Sequence, residues 1–154
     1  MNLLYYNNKN YIICFIGNNK FINFFHYDVI DNKLHFKQNK THNITIESPM
    51  GFSCQIYQDS KRNNQYSLIC FYIYESKLYG EIFDANNFTS INKNKTSCGL
   101  DNQNNVVIKS VLGFNGGIKF FICWGNINLN SSSFCTLLIK GQNNEINFKP
   151  NYNH

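Results

Sequence analysis

The chain has 154 residues, 43% of them hydrophobic and 16% aromatic, and a net charge of +5 from 14 basic and 9 acidic residues. That length and apolar content suit one folded domain with a real core, and they exclude a disordered chain. No apolar run approaches the length of a membrane-spanning helix, and MNLLYYNNKN at the start lacks the apolar stretch and cleavage site of a signal peptide. Of the basic residues only Arg62 is an arginine, and the lysines form no block, so a solvated basic surface is expected and no nucleic-acid site.

Strand-like alternation runs from the first residues to the last, and no segment shows a helical apolar stripe. In chain order the expected strands lie near 11–17, 20–28, 33–38, 51–58, 66–74, 77–84, 88–93, 106–113, 118–125, 133–140 and 145–149. Between them stand asparagine pairs such as Asn18-Asn19, Asn63-Asn64, Asn86-Asn87 and Asn143-Asn144. Asparagine is depleted in helices and strands and favoured in turns, so these pairs locate the turns and carry no functional message.

A triplet recurs: Ile13-Cys14-Phe15, Ile69-Cys70-Phe71 and Ile122-Cys123-Trp124, with the cysteines 56 and then 53 residues apart. Each copy sits in an apolar run suited to a buried central strand. Similar strands follow each copy (KFINFFHYDV, KLYGEIFDAN, SSFCTLLIKG), then shorter ones ending in Lys37, Lys93 and Lys149, each 56 residues from the next. One more strand precedes the second and third copies (GFSCQIYQ and VIKSVLGF). The unit is therefore four strands, and the first unit is expected to lack its opening strand.

In having four antiparallel strands per repeat of this length, the chain resembles β-propeller repeat proteins across almost its whole length. No Trp-Asp ending, kelch double glycine or Asp-box ties it to one propeller family. Its Asn/Lys-rich composition is similar to that of cysteine-rich propellers on apicomplexan parasite surfaces. The resemblance implies an all-β fold of about two and three-quarter blades in one partial domain, with units near 1–45, 46–97 and 98–154. An antiparallel β-sandwich is the alternative. Propellers close with 4 to 8 blades, so the resemblance also implies a fragment of a longer protein or self-association through open blade faces, around Tyr11, Phe15, Phe120 and Trp124.

The six cysteines include no C-x-x-C pair, and no histidine stands beside them at a zinc-ligand spacing, so no metal site is expected. Cys54 and Cys70 are equidistant from Arg62, and Cys123 and Cys135 from Leu129, so symmetric hairpins would set each pair on one rung, within disulfide reach. Cys14 and Cys98 are left without an assigned partner. The competing reading makes Cys14, Cys70 and Cys123 small buried hydrophobes at one repeated core position. Disulfides would imply a secreted or surface protein. Five glycosylation sequons begin at Asn39, Asn43, Asn87, Asn94 and Asn130, and all are expected in turns. That is little more than the roughly 3 that such a composition gives by chance.

Catalytic chemistry is not marked. The carboxylates are Asp28, Asp31, Glu47, Asp59, Glu75, Glu81, Asp84, Asp101 and Glu145, and no two are placed as a glycosidase pair. Asp28 and Asp84 recur at the end of the third strand of a unit, where aspartates cap turns. His26, His35, His42 and His154 show no metal spacing. Gly113, Gly116 and Gly117 join two strands, which excludes a phosphate loop. The expected function is a non-catalytic protein- or glycan-recognition module of a secreted or surface β-propeller protein, with no catalytic residue and no cofactor. A propeller-type glycosidase fragment and a cytosolic propeller scaffold are the alternatives.

Overall fold

Two pairs of polar residues shape the first sheet. Asn7 and Asn8 each have φ of 51°, and Asp31 and Asn32 have φ of 50° and 58°. A type I′ turn needs this left-handed backbone at both central positions, and Asn and Asp tolerate it best. The first pair turns β1 (Asn2–Tyr6) into β2 (Asn10–Ile16), and the second turns β3 (Ile22–Ile30) into β4 (Lys33–His42).

The computed structural model describes the backbone of residues 1–46, 51–59, 63, 65–75, 77–99, 106–114, 118–126, 131–140 and 145–150. Side chains are described through residue 94, Asp59 excepted, and at Ile108 and Ser110. Every regular element among these residues is a strand. The second sheet holds β5 (Phe52–Asp59), β6 (Gln65–Tyr74), β7 (Lys77–Asp84) and β8 (Ser90–Gly99). The third holds β9 (Val106–Phe114), β10 (Ile118–Asn126), β11 (Ser131–Lys140) and β12 (Glu145–Pro150). Each sheet is an antiparallel meander in chain order. No helix among the described residues is long and apolar enough to cross a membrane.

The first unit is complete, which corrects the expectation that it opens at its second strand. β1 carries little strand signal because NLLYY is short and lies at the chain start, yet Leu4 and Tyr6 alternate into the core as strand residues do. The fourth strands of the first two units are also longer than expected: β4 runs to His42 and β8 to Gly99.

The second sheet lies between the other two. Its face carrying Phe52, Cys54, Leu68, Cys70, Tyr72 and Phe83 packs on Leu4, Ile12, Cys14, Ile22 and Phe24 of the first sheet. Phe24 is the centre of this contact, with ring centroids 5.1 Å from Phe83 and 4.9 Å from Phe88. The opposite face, with Ile69, Phe71, Ile73 and Ile82, is fully buried as well. It meets the third sheet at Ser53, whose Oγ lies 2.7 Å from Ser110 Oγ. The opening strands run side by side through the stack, β1 against β5 and β5 against β9.

The Ile-Cys-Phe triplets do not occupy equivalent places. Both sheets carry a β-bulge just before the recurring aspartate: between His26 and Tyr27 before Asp28, and between Ile82 and Phe83 before Asp84. Superposing those bulges matches Phe24 with Gly80. Phe24 pairs with Cys14, whereas Gly80 pairs with Phe71, so the counterpart of Cys14 is Phe71. The faces agree: Cys14 points from the first sheet to the second, and Cys70 points back at the first. A shift of one residue moves a side chain through the sheet, so the shared triplet is out of phase with the structural repeat. The lysine anchor fails too, because Lys37 is the bulged residue of β4 and Ile91 takes that place in β8.

Candidate functional site

Beside the Ser53–Ser110 pair between the second and third sheets, two clusters of buried polar groups lie where the first two sheets meet. At the first, Glu81 stands in a strand where every residue from Leu78 to Asp84 is buried, and it is only 2% exposed. A carboxylate there requires partners. Its Oε2 accepts from Tyr72 Oη and from His42 Nε2 at 3.2 Å, and its Oε1 accepts from Ser90 Oγ at 2.6 Å. Burial pushes the Glu81 carboxyl up, but the hydrogen bonds from His42, Ser90 and Tyr72 outweigh it and hold it below the usual range. Tyr72 is raised well above an ordinary phenol, first by burial and then by the Glu81 charge. Lys93 Nζ lies 4.7 Å from the ring centre of Tyr79 and 5.1 Å from that of Tyr74, covering the cluster with cation–π contacts.

The second cluster surrounds His26, 1% exposed on β3. Its Nε2 lies 3.2 Å from both Tyr6 Oη and Asn10 Oδ1, and 3.6 Å from Asp28 Oδ1. The Asn10 oxygen can only accept, which suits a ring protonated at Nε2 and leaves Nδ1 as a buried acceptor without a partner. Burial lowers the His26 pKa, and Lys37 adds to this while Asp28 opposes it. Tyr6 is pushed up to about 12, chiefly by burial and then by Asp28.

The Glu81 cluster clamps the first sheet to the second, whereas the His26 contacts join β1, β2 and β3 within the first sheet. The Glu81 oxygens are committed to three donors, and no second carboxylate faces them in the hydrogen-bond set described. No group of three or more His, Cys, Asp or Glu among the described residues could hold a metal ion.

Of the paired cysteines, Cys54 and Cys70 stand on one rung and are bonded, with Cα atoms 4.2 Å apart. The other hairpin is not symmetric about Leu129. Cys123 pairs with Phe134, and Cys135 with Ile122, so these two are one rung apart. The same-rung premise for that bridge is therefore corrected, while the side chains themselves lie outside the described residues. Cys14 is a buried free thiol, raised far above its ordinary pKa chiefly by burial.

Asp84 caps its turn as expected, its Oδ1 accepting from the backbone N–H of Asn86 at 2.7 Å and of Asn87 at 3.3 Å. Asp28 does not; it pairs across the strands with Lys37 Nζ at 3.4 Å. Asn39, Asn43, Asn87 and Asn94 are all exposed, but Asn39 and Asn94 lie within β4 and β8 and not in turns. Asn130 lies outside the described residues. Sequence reasoning missed the Glu81 and His26 clusters, although a carboxylate set among the apolar residues of LYGEIF was a signal that a buried partner must exist. Comparison with protein families, with curated proteins and with solved structures finds no match to this chain.

Proposed function

We propose that the chain is a non-catalytic recognition module for a protein or glycan, and that its three sheets are consecutive blades of a β-propeller. The observation that carries the blade reading is the direction of the stack. When the sheets are matched by their bulges, equivalent faces point the same way, Cys14 toward the second sheet and Phe71 toward the third. Blades follow one another in this head-to-tail sense, with their opening strands side by side. Recognition is favoured because the buried polar groups are spent on joining strands and sheets, whereas the polar turns are free to vary without disturbing the core.

The turns β1–β2 and β5–β6 share one end of the stack, because Tyr6 and Tyr66, which flank them, have ring centroids 4.8 Å apart. The Asp31-Asn32 turn belongs to the same end of the first sheet, and Asn86-Asn87 to that of the second. This polar end is the proposed contact surface. The Cys54–Cys70 bond fits a secreted or surface protein, where disulfides persist.

The test is a glycan array and a panel of extracellular proteins probed with the chain and with Lys9→Ala and Asn86→Ala, both exposed on those turns. Saturable binding that either substitution weakens supports the assignment. Turnover of a glycoside panel, lost on changing one carboxylate, overturns it in favour of a glycosidase.

A further inference from the structure

Among the described residues no sheet packs on one face of the first sheet, and that face is aromatic. One rung line crosses all four strands as Tyr5, Tyr11, Tyr27 and Phe36. Their rings touch along it: Tyr5 and Tyr11 have centroids 4.7 Å apart, and Tyr27 and Phe36 5.8 Å apart. The next line adds Leu3 and Phe25, and Phe25 packs on Phe36 at 6.4 Å. Leu3, Tyr5 and Phe36 are each more than half exposed, at 62%, 51% and 57%. A contiguous surface of this kind marks an interface.

The repeat indicates what covers it. Tyr27 and Phe83 are equivalent, each just after the bulge and just before the aspartate. Phe83 is fully buried, and what buries it is the Phe24 face of the preceding sheet. The uncovered face of the first sheet is thus the acceptor half of an interface this chain already makes within itself. The donor half belongs to each sheet in turn: the first gives it to the second, and the second to the third. The third sheet's corresponding half is its face opposite Ser110, turned away from the second sheet.

We propose that two copies of the chain associate head to tail, the third sheet of each covering the aromatic face of the first sheet of the other. Such a contact is heterologous and closes when the rotation per sheet allows, here as a ring of two chains. The inference rests on the blade reading of the stack, but not on the recognition surface at the turns.

Sedimentation of the full chain at about 100 μM, above the micromolar limit expected for a standard-size interface, is expected to give a dimer. Tyr5→Glu and Phe36→Glu, at exposed positions, are expected to give monomers with unchanged circular dichroism. Amine cross-linking of a mixture of isotopically light and heavy chains is expected to join Lys33 or Lys37 of one copy to Lys140 or Lys149 of the other. A monomeric wild type, a dimer surviving both substitutions, or cross-links joining two copies of the 1–46 segment each overturns the proposal. None of those results touches ligand binding at the turns, so the two readings fail separately.

Discussion

His42 and Glu81 join two sheets by a 3.2 Å hydrogen bond between the last residue of β4 and the middle of β7. It is the polar counterpart of the Phe24–Phe83 contact beside it, and the His42 ring packs edge-on against Phe83 at 5.1 Å. The carboxylate thereby ties the outer strand of one sheet into the core of the next.

Replacing Glu81 with Ala removes the acceptor of the buried Tyr72 and of the more exposed His42 and Ser90. Removing one partner of a buried charge cluster costs about 3–5 kcal/mol, and the partial exposure of His42 argues for the lower end. Urea unfolding of Glu81→Ala, His42→Ala and the double variant checks this. The double variant is expected to lose clearly less than the sum of the singles, since the residues are in contact.

Stability is expected to fall in acid in two steps. The His26 pKa is lowered from 6.5 in the fold, so the unfolded chain takes up the proton first. Its contribution is complete above that value and is lost as pH falls through it toward the folded pKa. Glu81 is also lowered, from 4.5, so its contribution persists to more acidic pH and is lost only as pH falls through its folded value. Urea midpoints measured from neutral to acidic pH report both steps. His26→Gln is expected to remove the first and leave the second.

Reduction of the Cys54–Cys70 bond, which spans 16 residues, is expected to cost about 3 kcal/mol. Cys14 is expected to resist thiol reagents in the folded protein, because burial keeps it a thiol and the thiolate is the reactive form. Mass-resolved labelling with and without denaturant measures this. Rapid modification of Cys14 under native conditions contradicts the packing described.

Asn32, with φ of 58°, is expected to tolerate Gly but not Val. Left-handed backbone costs a residue with a Cβ about 1–2 kcal/mol, most for a β-branched one, whereas Gly enters it freely. Thermal unfolding of Asn32→Gly and Asn32→Val is expected to show a near-neutral change for the first and a clear loss for the second.

In the core, Phe24→Ala is expected to cost about 3–5 kcal/mol, since its ring touches both Phe83 and Phe88. Phe36→Ala, on the uncovered face, is expected to cost far less in a monomer. Chemical denaturation of both variants distinguishes the two sides of the first sheet.

Local chemistry made much of this architecture legible. β-branched and aromatic runs separated by asparagine pairs defined strands and turns, because those preferences act within a few residues of chain. The Cys54–Cys70 rung could be found by counting from Arg62, since a regular hairpin places residues symmetrically about its turn. Asp84 as a turn cap follows from side-chain reach alone. What counting could not supply was parity. Cys14 and Cys70 share a triplet, yet their neighbours on the next strand are Phe24 and Glu81, and this difference of one residue sends the two cysteines to opposite sides of their units. The same one-residue error separated Cys123 from Cys135. Register is decided by bulges, loop closure and the burial of one whole face at a time, all of which depend on contacts between sheets. The Glu81 and His26 clusters are products of that decision: Tyr6 and His26, 20 residues apart, meet once the strands of the first sheet have paired, and His42 and Glu81, 39 apart, only once two sheets have stacked.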